Sequence, residues 1–376
     1  MLLSEDHRAV QDAVRAYVQD RIAPHAAAWD KAAHFPAAEL RGLAELGCYG
    51  VAVPTAWDGA GLDYLSLALI LEEIAAGDGA TSTVVSVNNC PVCSILMAWG
   101  DEPQKERWLK PLARGTLLGA FCLTEPHVGS QADGLKTTAV RDGDAYVLNG
   151  VKQFITSGKN GDVAIVMAVT DRHAGKKGIS AFIVPTDTPG YVVARLEDKL
   201  GQHASDTAQI VFENCRVPVA NRLGDEGQGL KIALSGLEGG RIGIASQSVG
   251  MARAAFEAAL AYSKERVAFG KPIFEHQALQ FRLAEMATQI EAARQLIHHA
   301  ASLKDAGVPC LKEAAMAKLF ASEMAEKVCS AAIQVFGGYG YVSDFPVERI
   351  YRDVRVCQIY EGTSDVQKIL IGRALA

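Results

Sequence analysis

The chain has 376 residues with a formal net charge of -6, 49% hydrophobic and 21% charged residues. That is a globular composition, long enough for two or three domains or layers. The acidic balance offers no basic face for nucleic acid, and no apolar run is long enough to span a membrane.

The N-terminus, MLLSEDHRAVQDAV, reads as a helix start and not as a targeting peptide, so a cytoplasmic, reducing setting is expected. Ser4 is placed to cap this helix, and Val10, Val14, Val18 and Ile22 form its apolar stripe up to Pro24. Residues 36–48 and 64–77 also read as helices, separated by a Gly- and Pro-rich loop. Among the eight cysteines, only Cys90 and Cys93 form a CxxC. No second pair supplies the remaining ligands of a zinc site, so no metal is expected and the segment reads as a helix start.

From about residue 119 the pattern turns to β. Asp142-Gly143 and Asn149-Gly150 are hairpin signals, followed by the runs DVAIVMAV, ISAFIVP, GYVVARL and TAQIVFENCRVP. Residues 228–262, 275–305 and 312–336 return to helix. In the last, Met316, Phe320, Met324 and Val328 repeat every four residues, and Gly337-Gly338 should end it. The plan is helix, β, helix, with domains at 1–118, 119–223 and 224–376.

No P-loop, no GxGxxG after a strand, no GxSxG and no HExxH is present. Five other segments carry candidate chemistry. FCLTEPHVGSQADGL (121–135) places Thr124, His127, Gly129 and Ser130 in a loop after an apolar strand, where backbone amides can approach a ring or phosphate, or form an ordinary turn. KQFITSG (152–158) can pack a flat ring or simply fill a core. ERVAFGKPIFEHQALQF (265–281) sets Arg266 at a helix boundary, an anion site or a surface arginine. QVFGGYGY (334–341) is a close-approach glycine pair or a helix cap. QIYEGTSDVQ (358–367) sets Glu361 beside Ile359 and Tyr360, where desolvation would make it a stronger base; alternatively Thr363 or Ser364 merely caps a helix beside it.

In this order, EPHVGS, RVAFGKPI with HQ, FGGYGY and IYEGTS resemble the acyl-CoA dehydrogenase family across essentially the whole chain. The resemblance implies an α+β fold in three parts: an N-terminal helical domain, a central β-sheet or barrel domain and a C-terminal four-helix bundle. It implies FAD as cofactor, an acyl-CoA substrate, electron-transfer flavoprotein as acceptor and a homotetramer. By position, Phe121, Leu123, Thr124, Gly129 and Ser130 would hold the flavin, with Phe154, Ile155 and Thr156 behind its ring. Arg266, Phe269, Gln277, Gln334, Gly337 and Gly338 would reach FAD of a neighbouring subunit. Thr363 and Ser364 would meet its phosphates. Ser130, Glu238, Arg241 and Gly362 would contact substrate, Glu238 and Arg241 at its CoA moiety. Glu361 would be the base, and its backbone N–H would polarise the thioester carbonyl while the β-hydride goes to flavin N5.

Some branched- and long-chain members carry the base just before the arginine of the middle helix; here that position is Gly240. Gln131 stands where Asp is common and Phe154 where Trp is common. GLEGGRIGIASQSVG and SDFPVERIYRD look most like members acting on short straight or α-methyl-branched acyl groups. A non-catalytic or oxygen-using, acyl-CoA oxidase-like flavoprotein is the alternative; Glu361 and the chain length argue against it.

Overall fold

The structure, a computed structural model, describes residues 3–375. Helix α1 (Glu5–Tyr17) starts where Ser4 Oγ accepts from His7 N and His7 returns a bond to Ser4 N. Its stripe continues through a π-turn at Val18–Ile22, with Val14, Val18 and Ile22 buried. After α2 (Ala26–Ala32) and α3 (Ala37–Glu45) come α4 (Tyr64–Gly77) and α5 (Gly79–Val87), both buried almost all round. Asp78 caps α5 through Thr81 N. Around Pro91 the helix kinks, because proline cannot donate to the preceding turn. The short helices α6 (Ser94–Trp99), α7 (Glu102–Gln104) and α8 (Lys110–Ala113) close this part.

The middle of the chain forms one sheet. Its strands are β1 (Gly119–Cys122), β2 (Thr138–Asp142), β3 (Ala145–Thr156), β4 (Val163–Val169), β5 (Ile179–Pro185), β6 (Tyr191–Leu196), β7 (Thr207–Pro218) and β8 (Arg222–Leu223). The order is β6-β7-β3-β2-β4-β5-β8, with β1 parallel to β4. Asp142 pairs with Ala145 across the expected hairpin. Asn149-Gly150 does not turn the chain. It lies inside β3 at a register shift, where Gly150 (φ 152) sits against Thr137 and the Asn149 side chain accepts from Asn214 N. A bulge and a hairpin both demand unusual φ, so the dipeptide signals one as readily as the other.

The last third is helical: α9 (Gly229–Glu265), α10 (Gln277–Asp305), α11 (Leu311–Phe336), α12 (Val347–Val354) and α13 (Ser364–Ala374). A two-residue-strand hairpin, β9 (Val267–Ala268) and β10 (Lys271–Pro272), joins α9 to α10. The three long helices pack together, α4 lies against α9 and α10, and α13 rests on α11. The stripe read on α11 is only half buried. Met324 and Val328 are inside, Phe320 is exposed, and the core face is made instead by alanines such as Ala314, Ala317, Ala321 and Ala325. Small residues let α9 approach closely, so helix contact outweighs side-chain bulk. Among the described residues no helix is long and apolar enough to cross a membrane. All eight cysteines are free and buried, Cys90 and Cys93 inside the kinked segment.

Candidate active site

The chain leaves α12 through a 3-10 turn at Arg355–Gln358 and re-enters helix at α13. Thr363 caps α13 by accepting from Val366 N at 3.3 Å. The capping reading of this segment therefore holds for Thr363, and it leaves Glu361 free for another role. Tyr360 and Glu361 stand just before the cap. Tyr360 donates to Gln247 Oε1 at 2.5 Å, which ties the segment to α9. Glu361 takes the left-handed conformation, φ 52, and sends its side chain against α9 at Gly240.

That contact explains the glycine: a Cβ at Gly240 would overlap the Glu361 carboxylate. The position that carries an alternative base in some family members is thus occupied in space by the carboxylate of Glu361. Gly240→Ala should displace this carboxylate and lower turnover about 10²-fold, the scale of an ångström's misplacement. Single-turnover kinetics beside an unchanged circular dichroism spectrum would check it; a normal rate would show that the carboxylate has room to move.

Glu361 Oε2 is buried and has no hydrogen-bond partner among the described residues. Burial pushes its carboxyl up to about 7, while Arg241 and then Lys318 pull against that rise. Arg241 is 4% exposed, with Nε and Nη1 unpartnered, and burial lowers its proton affinity. A dry carboxylate flanked by cations and lacking a partner of its own is built to take a proton from something that enters.

Glu238 is one turn earlier on α9. Its carboxylate makes a salt bridge to Lys304 at 2.9 Å and receives Cys310 Sγ at 3.7 Å. α9 presses its glycine face on the segment running from α5 to α6. Gly236 meets Pro91 and Ile95, Gly239 meets Cys90, and Gly243 meets Ser86. The seam ends in buried polar groups, where Gln247 Nε2 donates to Thr83 Oγ1 at 2.7 Å and Thr83 donates to Gln202 Oε1 at 2.7 Å.

The expected flavin segments lie as follows. Phe121 is on β1, Leu123 is buried, and Thr124 O accepts from Gln153 N at 2.9 Å, which fastens the loop to β3. Gly129 and Ser130 are exposed at the loop's tip. A register shift between Lys152 and Ile155 gives Phe154 a φ of 59 and turns its ring outward, 62% exposed, while Ile155 is buried and Thr156 is half-buried. An exposed aromatic face on a sheet is an open platform for a flat ring. Ser364 Oγ is buried and unpartnered at the N-terminus of α13, where phosphate oxygens are favoured. The exposed ring and the orphaned hydroxyl both fit the cofactor expected.

Arg266, Phe269, Gln277, Gln334, Gly337 and Gly338 lie away from this cleft, all exposed at the α9–α10 hairpin and the end of α11. Phe269 is 96% exposed, and a Cβ at Gly337 or Gly338 would meet nothing within 4 Å.

Four residues at the site escaped the reading of the sequence. Glu125 and Lys152 form a buried ion pair, Nζ to Oε1 at 2.9 Å. Glu125 also accepts from Lys136 N and Thr137 N, and Lys152 donates to Leu123 O. The pair is the knot of the flavin loop. Lys318 and Gln367, both 0% exposed, approach the Glu361 turn from behind. The lysine's signal was a cation set among the small apolar residues of AAMAKLFA, legible only once that face proves buried.

Three family models match the chain: acyl-CoA dehydrogenase N-terminal domain over residues 4–116, middle domain over 120–215 and C-terminal domain over 227–376. The short-chain specific acyl-CoA dehydrogenase of Rattus norvegicus mitochondria is 45% identical over 98% of this chain and 90% of its own. The butyryl-CoA dehydrogenase structure from Megasphaera elsdenii superposes with a TM-score of 0.97 at 42% identity, covering 100% of this chain and 99% of that one. A chain from the structure described as "Electron transferring flavoprotein of Acidaminococcus fermentans: Towards a mechanism of flavin-based electron bifurcation" gives 0.98 at 46% identity, covering 100% and 99%.

Proposed function

This chain belongs to the acyl-CoA dehydrogenase family, an FAD-dependent oxidoreductase of acyl-CoA thioesters, and from that premise we propose that Glu361 is its base and short acyl groups its substrates. The observation that carries the first part is the buried Glu361 carboxylate with a raised pKa and an unpartnered Oε2. Bound FAD supplies the acceptor for the β-hydride. Glu361 takes the α-proton, its backbone N–H polarises the thioester carbonyl, and the product is the trans-2-enoyl-CoA. Closing the site against water strengthens both interactions.

Residues 121–130, 154–156, Thr363 and Ser364 hold the cofactor on this reading, and Ser130, Glu238, Arg241 and Gly362 meet the substrate. The exposed Phe269, Phe281 and Tyr341 support a homotetramer, since a surface this apolar is ordinarily covered. We take the working division as 1–118, 119–223 and 224–376, the protein as cytoplasmic, and electron-transfer flavoprotein as the acceptor.

Two observations support a short acyl group. Two of the relatives named above are a short-chain specific and a butyryl-CoA dehydrogenase. The glycine seam from Gly240 also reaches the Gln247–Thr83 network within about 10 Å along α9, and an alkyl chain extended onto satisfied polar groups gains nothing. Anaerobic bleaching of the flavin by a panel of acyl-CoAs tests this. C4–C5 thioesters should bleach it and C8 or longer should not. Bleaching by long chains alone would overturn the pocket reading, and no bleaching at all would overturn the reaction.

The base must be ionised to act. Because Glu361 is raised to about 7, flavin reduction at low substrate should climb with pH through a midpoint near that value. Stopped-flow rates across pH 5.5–9 would measure it, and a flat profile would exclude Glu361 as the titrating base.

A further inference from the structure

Glu361 and Gly362 both have positive φ, 52 and 94. A left-handed conformation is strained for a side-chain-bearing residue such as Glu361, so something must hold the turn. Their carbonyls face the interior. Lys318 Nζ of α11 donates to Gly362 O at 2.7 Å. Gln367 Nε2 of α13 donates to Gly362 O at 2.8 Å and to Glu361 O at 3.3 Å. A Cβ at Gly362 would stand 2.7 Å from that amide nitrogen, so only glycine closes the turn this tightly.

Lys318 is 0% exposed, yet its ammonium forms no salt bridge among the described residues. Burying an ammonium without a carboxylate in contact is costly, and a methionine would fill the same volume without that cost. What lysine adds is a donor and a charge, both directed at the turn that carries Glu361.

We propose that Lys318 is a positioning residue, clasping the Glu361–Gly362 turn together with Gln367 and holding its cation beside the segment that carries the Glu361 carboxylate. The inference rests on the reading of Glu361 as the base. The hydrogen bonds fix where the carboxylate and the Glu361 N–H stand. The charge acts on proton affinity through space. The ionisable groups facing Lys318 are Cys357 from the Arg355–Gln358 turn, Glu361 itself, and Arg241 from α9. Burial lowers the Lys318 ammonium to about 8, with Cys357 and Glu361 opposing the fall, so it remains mostly charged at pH 7.

Three variants separate the two roles. Lys318→Gln keeps a donor and drops the charge, Lys318→Met drops both, and Gln367→Met removes the neutral half of the clasp. The readout is the rate of flavin reduction by butyryl-CoA against pH, with FAD content measured alongside. Both Lys318 variants should move the Glu361 midpoint upward by about one pH unit, because the opposing cation is gone. Lys318→Met and Gln367→Met should also lower the high-pH plateau about tenfold, with the midpoint of Gln367→Met unmoved. Wild-type midpoints in the Lys318 variants at full FAD content would overturn the proposal. Should Lys318→Met fail to fold, Lys318→Gln and Gln367→Met still decide it. Glu361→Gln, run in parallel, isolates the underlying reading: an active Glu361→Gln removes the base itself, whereas an inactive one beside wild-type Lys318 variants removes only the clasp.

Discussion

Glu361→Gln is expected to cost at least ~10²-fold in turnover, the low end of what a general base contributes. The substitution preserves shape and removes one proton acceptor. It also removes a carboxylate that lies buried with Oε2 unpartnered, so the folded protein should be no less stable than the wild type. The yellow colour should remain, because the segments proposed to hold the cofactor, 121–130 and 154–156, are untouched. Anaerobic mixing with butyryl-CoA, together with a thermal melt and an FAD assay, would give all three readings on one preparation. A variant that folds, stays yellow and still reduces at the wild-type rate would sink the assignment.

Lys152→Met should instead damage the protein before it damages the chemistry. Lys152 and Glu125 are 0% and 1% exposed in their side chains, with nitrogen and oxygen 2.9 Å apart. Removing one partner leaves a buried charge uncompensated and costs about 3–5 kcal/mol. The loss should fall on the loop that Glu125 ties down through Lys136 N and Thr137 N, so FAD should leave at lower denaturant than in the wild type. Flavin fluorescence, quenched in the site and bright in solution, reports that release directly. Replacing both partners by apolar residues of similar volume, Glu125→Leu with Lys152→Met, should recover much of the stability. It should not recover cofactor affinity, because the two backbone amides, which Glu125 still serves in the single variant, would then lose their acceptor. Release of FAD by the single variant at the wild-type denaturant concentration would show that the loop is held by something other than the pair.

The α1 cap and stripe, the extent of α4 and the long helices were legible because each follows from local rules. Ser4 before an acidic first turn signals a cap, and a four-residue repeat gives one face. Strands β4, β5 and β7 were equally plain as continuous apolar or alternating runs. Asn149-Gly150 was misread because its local demand, an unusual φ, is met by a bulge as well as by a turn; only pairing with β7 decides between them. The stripe Met316–Val328 misled because bulk attracted attention where small alanines make the contact.

The sequence by itself determined the order of helix and sheet and marked the candidate base and the candidate cofactor segments, since these reside in short stretches whose chemistry is intact in the chain. Tertiary structure alone decided three things. Glu361 occupies the space above Gly240. Glu238 of α9 is salt-bridged to Lys304 of α10. Lys318 and Gln367 close on the Glu361 turn. Each joins residues far apart in sequence, and each depends on burial, which strengthens charge and makes an unpaired group expensive only after the helices have packed.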